Sequence, residues 1–222
     1  MIFQLDNLTV YFPYPRLYKE QYCYMRSLLS SLTSSGHCLL EMPTGTGKTV
    51  CLLSLVTSYQ HANPSAGKLV YCTRTVPEMD AVMEELAVVL DYRERCLHPP
   101  PAEVGPEEPT KKKAAPAGPP LGEHPRAAGA GGTGALGLCL SSRRNMCVHP
   151  TVMEESDREA VDAACRRMTA SWVRSANEKK PGSVKTCDYF DSFDKEGDVA
   201  LKSGVYDLDA LRKLGKARGW CP

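Results

Sequence analysis

The first hundred residues of this 222-residue chain predict an α/β fold in which helices cross over a parallel sheet. Two observations carry this prediction. The apolar segments follow the order strand, helix, strand, helix, and a glycine-rich loop joins the first strand to the next helix. The chain is also long enough to bury a core without disulfide bonds. The net charge of +1 excludes neither a nucleic acid nor an acidic partner, because a charged patch can exist within a balanced total.

An amphipathic helix comes first, from Leu17 to Leu32, and is predicted to end near Gly36. Apolar residues recur every three or four positions, at Tyr22, Met25, Leu29 and Leu32. The following residues, His37 to Met42, have the length and apolar character of a buried strand. This pair of elements leads directly into the glycine-rich loop.

The elements after the loop repeat the pattern of helix and strand. Val50 to Tyr59 is apolar and long enough for a helix, and Lys68 to Thr73 is a second strand candidate. A further helix is predicted from Thr75 to about Leu90, because Thr75 and Glu78 form a capping box and Pro77 lies in the first turn.

The region from Pro99 to Gly134 differs in composition, since it holds nine of the 17 prolines together with many Ala and Gly residues. Such a segment is predicted to be a disordered insertion. Its basic run, Lys111 to Lys113, is interpreted as solvated loop charge in preference to a contact with phosphate or a partner. A globular region follows, with Asp207 as the N-cap of a last helix to about Ala217. The predicted domain boundaries divide the chain into an N-terminal α/β part, 1–95, the insertion, 96–136, and a C-terminal domain, 137–222.

The sequence has no run of roughly 18 apolar residues that would span a membrane, and no secretory signal at its N-terminus. We therefore expect a soluble intracellular protein without a membrane partner. In a reducing compartment its ten cysteines are more suited to metal or cluster ligation, or to burial as small apolar groups, than to cross-linking.

The loop from Thr44 to Thr49 has the composition of a phosphate-binding loop. Gly45 and Gly47 would let backbone N–H groups approach the phosphate oxygens of a nucleoside triphosphate. Lys48 would reach the outer phosphates, and the Thr49 hydroxyl would ligate Mg²⁺. Because an apolar strand and an apolar helix flank the loop as the motif requires, we predict ATP binding.

Two residues outside the loop bear on how the nucleotide is used. Met42 replaces the first glycine of the usual motif, a change that helicase-type loops tolerate and nucleotide kinases usually do not. Gln21 lies in Tyr18–Gln21 and could pair with the adenine edge, because its amide both donates and accepts hydrogen bonds. A glutamine on a helix surface remains the alternative.

Four cysteines are spread through the last third of the chain, at Cys147, Cys165, Cys187 and Cys221. They are separated by 17, 21 and 33 residues, which differs from the paired spacing of a zinc ribbon. Thiolates from separate segments can still ligate one iron–sulphur cluster, and buried free thiols are the alternative. The remaining cysteines are interpreted as structural, with Cys38, Cys51 and Cys72 in or beside predicted core elements.

Three residues near the first of these cysteines also have two interpretations. His149 could be a ligand, although a hydrogen-bonding loop histidine is favoured because four thiolates already complete a set. Arg143 and Arg144 could donate to cluster sulphurs or to DNA phosphates, or they could be solvated surface charges.

Five separated blocks of sequence resemble the XPD-type iron–sulphur DNA helicases of superfamily 2. The similarity covers the chain outside 99–134. It is carried by the blocks Tyr18–Gln21, Glu41–Thr49, Tyr71–Glu78, Ser141–Pro150 and Gly215–Pro222. The resemblance implies a RecA-like P-loop helicase domain, with a partial parallel sheet and flanking helices, interrupted by a small iron–sulphur cluster domain.

The same resemblance implies specific functional residues. It assigns a 4Fe-4S cluster to the four late cysteines and a contact with single-stranded DNA to Thr73, Arg74 and Thr75. The implied ATP-binding residues are Gln21, Thr44, Gly45, Thr46, Gly47, Lys48 and Thr49, of which Lys48 and Thr49 also serve catalysis. Members of this family move 5′ to 3′ on single-stranded or forked DNA as part of TFIIH in the nucleus, where they act in nucleotide excision repair and transcription initiation.

The sequence lacks the D-E-A-H motif, the arch domain, the second RecA-like domain and the arginine finger that the family needs for hydrolysis. We therefore expect this polypeptide to be the first portion of a larger motor and to be inactive by itself. Two alternatives remain: a naturally short module that binds ATP or DNA without hydrolysis, and a related helicase of the FANCJ or DinG kind.

Overall fold

A computed structural model of the chain describes residues 1–99, 134–198 and 200–222. They form two compact units, Met1–Ala135 and Leu136–Pro222. The fold is mixed α/β, with one two-stranded sheet in each unit. Almost all of the predicted insertion, including Lys111 to Lys113, lies outside the described residues.

The N-terminal unit begins with a β-hairpin that the sequence analysis did not predict. The two strands are antiparallel, with Ile2 opposite Tyr11 and Leu5 opposite Leu8. Asp6 in the tight turn has a φ of 49°. The elements are β1 Ile2–Leu5, β2 Leu8–Tyr11, α1 Lys19–Thr33, α2 Lys48–Ala62 and α3 Val76–Leu97. The helices that follow the hairpin are long, and two of them, α2 and α3, pack against β2.

Helix α2 forms the centre of the N-terminal unit, packed against β2, α1 and α3. Its sequence is apolar on most sides, so Leu53 and Leu55 are both buried although they lie on different faces. Met25 of α1 and Val89 of α3 complete the same core, together with Phe12 after the hairpin. The glycine-rich loop precedes α2 directly, so the packing of this helix fixes the position of the loop.

All three helices predicted for this unit are present. The predicted helix Leu17–Leu32 corresponds to α1, and Val50–Tyr59 lies within α2. Helix α3 extends to Leu97, beyond the predicted end near Leu90. Its N-cap is the predicted Thr75, whose hydroxyl accepts from the Glu78 N–H at 3.3 Å.

Both predicted strands of this unit are wrong. His37–Met42 and Lys68–Thr73 are irregular in the structure, and Leu39 and Val70 are 98% and 80% exposed. Neither segment pairs with another strand among the described residues. A strand requires a neighbour for its backbone N–H and C=O groups, so an apolar run alone does not produce one.

The C-terminal unit consists of short helices and a parallel strand pair, whose second strand packs against the last helix. The register places Leu136 opposite Gly204 and Leu138 opposite Tyr206. Asp207 accepts from the Ala210 N–H at 2.7 Å, which confirms its prediction as the N-cap of the last helix. The elements are β3 Leu136–Leu138, α4 Arg143–Met146, α5 Pro150–Met153, α6 Arg158–Thr169, α7 Ser171–Lys179, α8 Asp188–Glu196, β4 Gly204–Tyr206 and α9 Leu208–Arg218.

The core of this unit is small and includes one of the four late cysteines. Val152, Val161, Ala164 and Met168 pack with Cys187, while Cys147 and Cys165 lie at its edge. Among the helices described in the two units, none combines the length and the apolar character needed to cross a bilayer.

Candidate nucleotide loop and cysteine site

The loop before α2 has a backbone that depends on its glycines. Gly45 and Gly47 have φ values of +76° and +78°, a region that other residues adopt at a cost. A Cβ atom on Gly47 would lie 2.9 Å from Gln21 Nε2 and 3.2 Å from Val50 Cγ1. A Cβ on Gly45 would meet nothing within 4 Å, so this side of the loop is open. Both glycines are therefore required by conformation, and a side chain at Gly47 would also displace the Gln21 amide.

The Lys48 side chain folds back over the loop. Its Nζ atom donates to the carbonyl oxygens of Met42 and Pro43, each at 2.9 Å. The Thr46 hydroxyl donates to the same Pro43 oxygen at 2.6 Å. The ammonium group thus lies at the start of α2, where the N–H groups of the first turn have no partners within the helix and the helix dipole favours an anion. Thr49 lies in this first turn.

Gln21 connects α1 to the loop. Its side chain is 6% exposed, so it is not a helix-surface glutamine. Its Nε2 donates to the Thr46 carbonyl at 2.9 Å, and its Oε1 accepts from the Tyr18 N–H at 3.0 Å. Both ends of the amide are occupied by the protein itself. A contact between Gln21 and adenine stays a prediction, and the amide keeps one N–H and one oxygen lone pair for it.

The predicted DNA-contacting triplet presents one charged group to solvent. The Arg74 side chain is 89% exposed, and its guanidinium pairs with Glu78 at 3.1 Å. Hydrogen bonds from the Arg74 backbone and side chain lower the pKa of the Glu78 carboxyl. The hydroxyls of Thr73 and Thr75 are used locally, the first on the Thr75 carbonyl at 3.2 Å and the second in the helix cap. A role for this triplet in DNA binding stays a prediction.

The four late cysteines come from four different segments of the C-terminal unit and are close enough for their charges to interact. Cys147 ends α4, Cys165 lies within α6, Cys187 precedes α8 and Cys221 follows α9. Burial, followed by the charges of the other three thiols, raises the pKa of Cys221 to about 11. Burial also raises the pKa of Cys147 and of Cys187, with further contributions from neighbouring thiols of the set.

At Cys147, Cys187 and Cys221 this arrangement favours the neutral thiol until a cation is bound. Desolvation and mutual repulsion both disfavour thiolates, whereas a bound metal stabilises them. Among the described residues, no three His, Cys, Asp or Glu side chains converge on a point that could hold a single metal ion. The four sulphurs are therefore gathered in one region without forming a mononuclear site.

Two arginines supply positive charge near these thiols. Arg143 lowers the pKa of Cys221, and Arg212 lowers that of Cys147, although burial outweighs both effects. Arg143 also lies 3.5 Å from Asp162. Arg144 instead donates to the Ser156 carbonyl. Sequence analysis singled out Arg143 and Arg144 but missed Arg212, which no local pattern distinguishes from the other basic residues of α9.

His149 packs edge-to-face on Tyr189, with ring centroids 6.0 Å apart. Its Nδ1 atom is buried and has no hydrogen-bond partner among the described residues. This ring nitrogen therefore does not make the hydrogen bond expected of a loop histidine.

The structural interpretation of the other cysteines needs one correction. Cys51 is fully buried in α2 as expected, but Cys38 and Cys72 are exposed. Both belong to the two predicted strands that do not form. Their exposure follows from the missing sheet around them.

Comparisons with known proteins agree with these motifs. Residues 71–222 match the DEAD_2 family. The whole chain is 46% identical to the general transcription and DNA repair factor IIH helicase subunit XPD of Arabidopsis thaliana, of which it covers 25%. It is 43% identical to the XPD subunit of Dictyostelium discoideum, of which it covers 24%. The human regulator of telomere elongation helicase 1 is 24% identical, with 98% of this chain and 17% of that protein aligned.

The chain spans about a quarter of the length of the XPD relatives that it matches. These matches confirm the resemblance to XPD-type helicases that the five sequence blocks indicated, and they place it in the N-terminal part of those proteins. Because the family match extends over about two thirds of the 222 residues, the chain belongs to the DEAD_2 family.

Proposed function

We propose that this chain is the ATP-binding and iron–sulphur portion of an ATP-dependent 5′–3′ DNA helicase of the XPD type. The observation that carries the proposal is the 46% identity over the whole chain to a helicase subunit of factor IIH. The proposal includes the RecA-like character of the N-terminal unit, single-stranded or forked DNA as substrate, and other TFIIH subunits as partners. It also includes a nuclear location, with roles in excision repair and transcription initiation.

The glycine-rich loop supports ATP as the nucleotide. Gly45 leaves one side of the loop open, and the N-terminus of α2 directs N–H groups and a positive dipole toward this space. Lys48 would exchange its two carbonyl partners for the β- and γ-phosphates, because a charged acceptor forms a stronger bond than a carbonyl does. Thr49 would ligate the Mg²⁺ that accompanies ATP.

The donor chemistry of the four cysteines fits an iron–sulphur cluster. Cys187 is buried, the other three cysteines are half-buried, and Cys221 interacts electrostatically with the other three thiols. Four cysteine thiolates are the usual ligand set of such a cluster. Cys147, Cys165, Cys187 and Cys221 would hold it. When bound, the cluster would supply a rigid cross-link between four segments that share only a small core.

Hydrolysis requires groups that these 222 residues do not contain. No D-E-A-H motif is present in the sequence, so the carboxylate that would help to hold Mg²⁺ and orient water is lacking. Lys48 and Thr49 would thus bind and orient the phosphates without completing the catalytic set. The proposed role of this polypeptide by itself is nucleotide binding without appreciable turnover.

A binding experiment with the full chain tests this proposal. A fluorescent ATP analogue titrated in Mg²⁺ should bind the unaltered polypeptide, and Lys48→Ala should weaken binding by about tenfold or more, as expected for the loss of a charge-assisted bond. Lys68→Ala is the matched control, because this lysine is exposed and lies outside the loop. ATP hydrolysis should remain at background for every variant.

Two results would contradict the proposal. Failure of the nucleotide to bind in the presence of Mg²⁺, or equal affinity of Lys48→Ala and Lys68→Ala, would remove the phosphate-binding role. Turnover that disappears in Lys48→Ala would overturn the proposed inactivity of this polypeptide.

The alternative to this helicase is a module that binds ATP or DNA and performs no work. An immunoblot of cell extracts with an antibody to this chain distinguishes the two. The helicase predicts a polypeptide about four times as long, since the chain covers 25% of the Arabidopsis relative. A polypeptide of 24.3 kDa favours the module.

A further inference from the structure

Cys221 lies in a segment with no helix or strand of its own. Helix α9 ends at Arg218, Gly219 turns the chain with a φ of +67°, and the Trp220 N–H donates back to the Gly215 carbonyl at 2.8 Å. The Cys221 N–H donates to the Tyr189 carbonyl in the first turn of α8 at 2.9 Å. Since Cys187 is the residue that precedes α8, this bond ties the fourth cysteine to the helix of the third.

The returning segment packs against a helix face that has no side chain. A Cβ atom on Gly215 would lie 2.8 Å from the Trp220 carbonyl oxygen and 3.0 Å from Pro222 Cδ. The nearer contact is with backbone, which cannot rotate away as a side chain does. Glycine is a poor residue for a helix interior, and here its lack of a Cβ is what admits the segment that carries Cys221.

The Trp220 side chain fixes the same segment from the other side. The ring is 5% exposed, and its Nε1 atom donates to Glu196 Oε2 at the end of α8 at 2.9 Å. The Arg218 guanidinium carbon lies 4.5 Å from the indole centroid, and the Phe193 ring meets the indole at 71° with centroids 6.1 Å apart. Such contacts orient a tryptophan strongly, because they combine a hydrogen bond, a cation–π contact and an aromatic pair.

We propose that Gly215, Trp220 and Glu196 form a clamp that positions the Cys221 thiol as the fourth ligand of the iron–sulphur cluster. The proposal rests on the cluster assignment made above. The three residues are positioning residues: they bind no metal, and they act by holding the Trp220–Pro222 segment between α8 and α9. Supporting residues of this kind change metal affinity about 10- to 100-fold when they are altered.

The first test compares two glycine variants of the full 222-residue chain after anaerobic loading with iron and sulphide. Gly215→Ala should release iron to a ferrous chelator about tenfold faster than the unaltered chain. On oxidation it should also show the electron paramagnetic resonance spectrum of a three-iron cluster, because the iron atom that Cys221 would ligate is no longer held. Gly219→Asn is the matched control. Asparagine tolerates the left-handed conformation, and a Cβ there meets nothing within 4 Å, so iron release should stay unchanged.

A second pair of variants, both at Glu196, leaves the backbone of helix α9 unchanged. Glu196→Gln keeps an acceptor for the indole N–H and should release iron at close to the rate of the unaltered chain. Glu196→Ala removes the acceptor and should release iron several-fold faster. This pair decides the question if circular dichroism shows that Gly215→Ala fails to fold.

The failure of the clamp and the failure of the cluster assignment have different signatures. If the unaltered chain holds about four irons and both Gly215→Ala and Glu196→Ala release them at the unaltered rate, the clamp is overturned and the cluster stands. If the unaltered chain takes up no iron, both proposals are overturned.

Discussion

The Cys51 thiol shows how burial controls the chemistry of a single residue. Its side chain is completely buried in α2, and burial raises its pKa from 9.0 to about 12, with a further contribution from the negative charge of Glu85. A hydrogen bond from the backbone opposes this shift and is smaller. The thiol is therefore neutral and unreactive at physiological pH, as expected for a structural cysteine.

This shift predicts a loss of stability in alkaline solution. The unfolded chain releases the Cys51 proton at about pH 9, whereas the folded chain retains it until about pH 12. The stabilising contribution is therefore complete below pH 9 and is lost as the pH rises through this interval. Thermal unfolding of the chain in reducing buffer should show a falling midpoint from pH 9 upward, and Cys51→Ala should reduce the slope.

Cys23 provides the control for this experiment, because it is an exposed cysteine in the same unit. The alkaline slope of Cys51→Ala is compared with that of Cys23→Ala, which removes an exposed thiol instead of a buried one. Tyr14, whose pKa burial and Glu85 raise to about 12, should preserve part of the alkaline slope in both variants. An identical slope for Cys51→Ala and the unaltered chain would show that this thiol does not contribute.

At the scale of single elements, the start of α3 depends on one hydroxyl. The Thr75 hydroxyl accepts from the Glu78 N–H at 3.3 Å, and the Glu78 carboxylate accepts from the Arg74 N–H at 3.1 Å. Thr75→Ala should lower the free energy of unfolding by about 1 kcal/mol, the usual cost of losing an N-cap. Thr75→Ser should retain most of the stability. Urea denaturation measures both, and equal midpoints for the two variants would contradict this role.

The helices could be predicted from sequence because their signals are local. The spacing of Met25 and Leu29, the Thr75 cap and the Asp207 cap each lie within a few residues of the element they specify. Strands depend on partners elsewhere in the chain. The apolar runs His37–Met42 and Lys68–Thr73 have the composition of strands, but nothing in their own sequence supplies the neighbour that would pair with them.

The hairpin β1–β2 was missed for a related reason. Its turn is Asp6-Asn7, in which Asp6 adopts a positive φ, while the strongest hairpin signals place glycine in such a turn. Each strand has only four residues, too few for a clear alternation of apolar and polar side chains.

The phosphate loop could be located from its motif, but the contacts within it could not. The bond from Gln21 to the Thr46 carbonyl joins residues 25 positions apart, so it exists only because α1 packs beside α2. The two carbonyl contacts of Lys48 likewise depend on the folded path of the loop. Gly215 gave no signal in the sequence, because its importance depends on where the chain returns after α9.

At the scale of the whole molecule, the composition of the bound metal tests the assignment of the C-terminal unit. The chain purified without oxygen should be brown, with broad visible absorption and about four irons. Serine at Cys147, Cys165, Cys187 or Cys221 should abolish this absorption, while Cys51→Ser in the other unit should not. Iron analysis and absorption spectra provide the measurement. Equal loss in all five variants, or stoichiometric zinc without iron, would contradict the assignment.

The unpaired segments around Leu39 and Val70 have a practical consequence. Both segments expose apolar side chains, and their backbone pairs with no strand among the described residues. Exposed edge strands with these two properties pair with other chains. Copies of the polypeptide at high concentration would add to one another there and form aggregates.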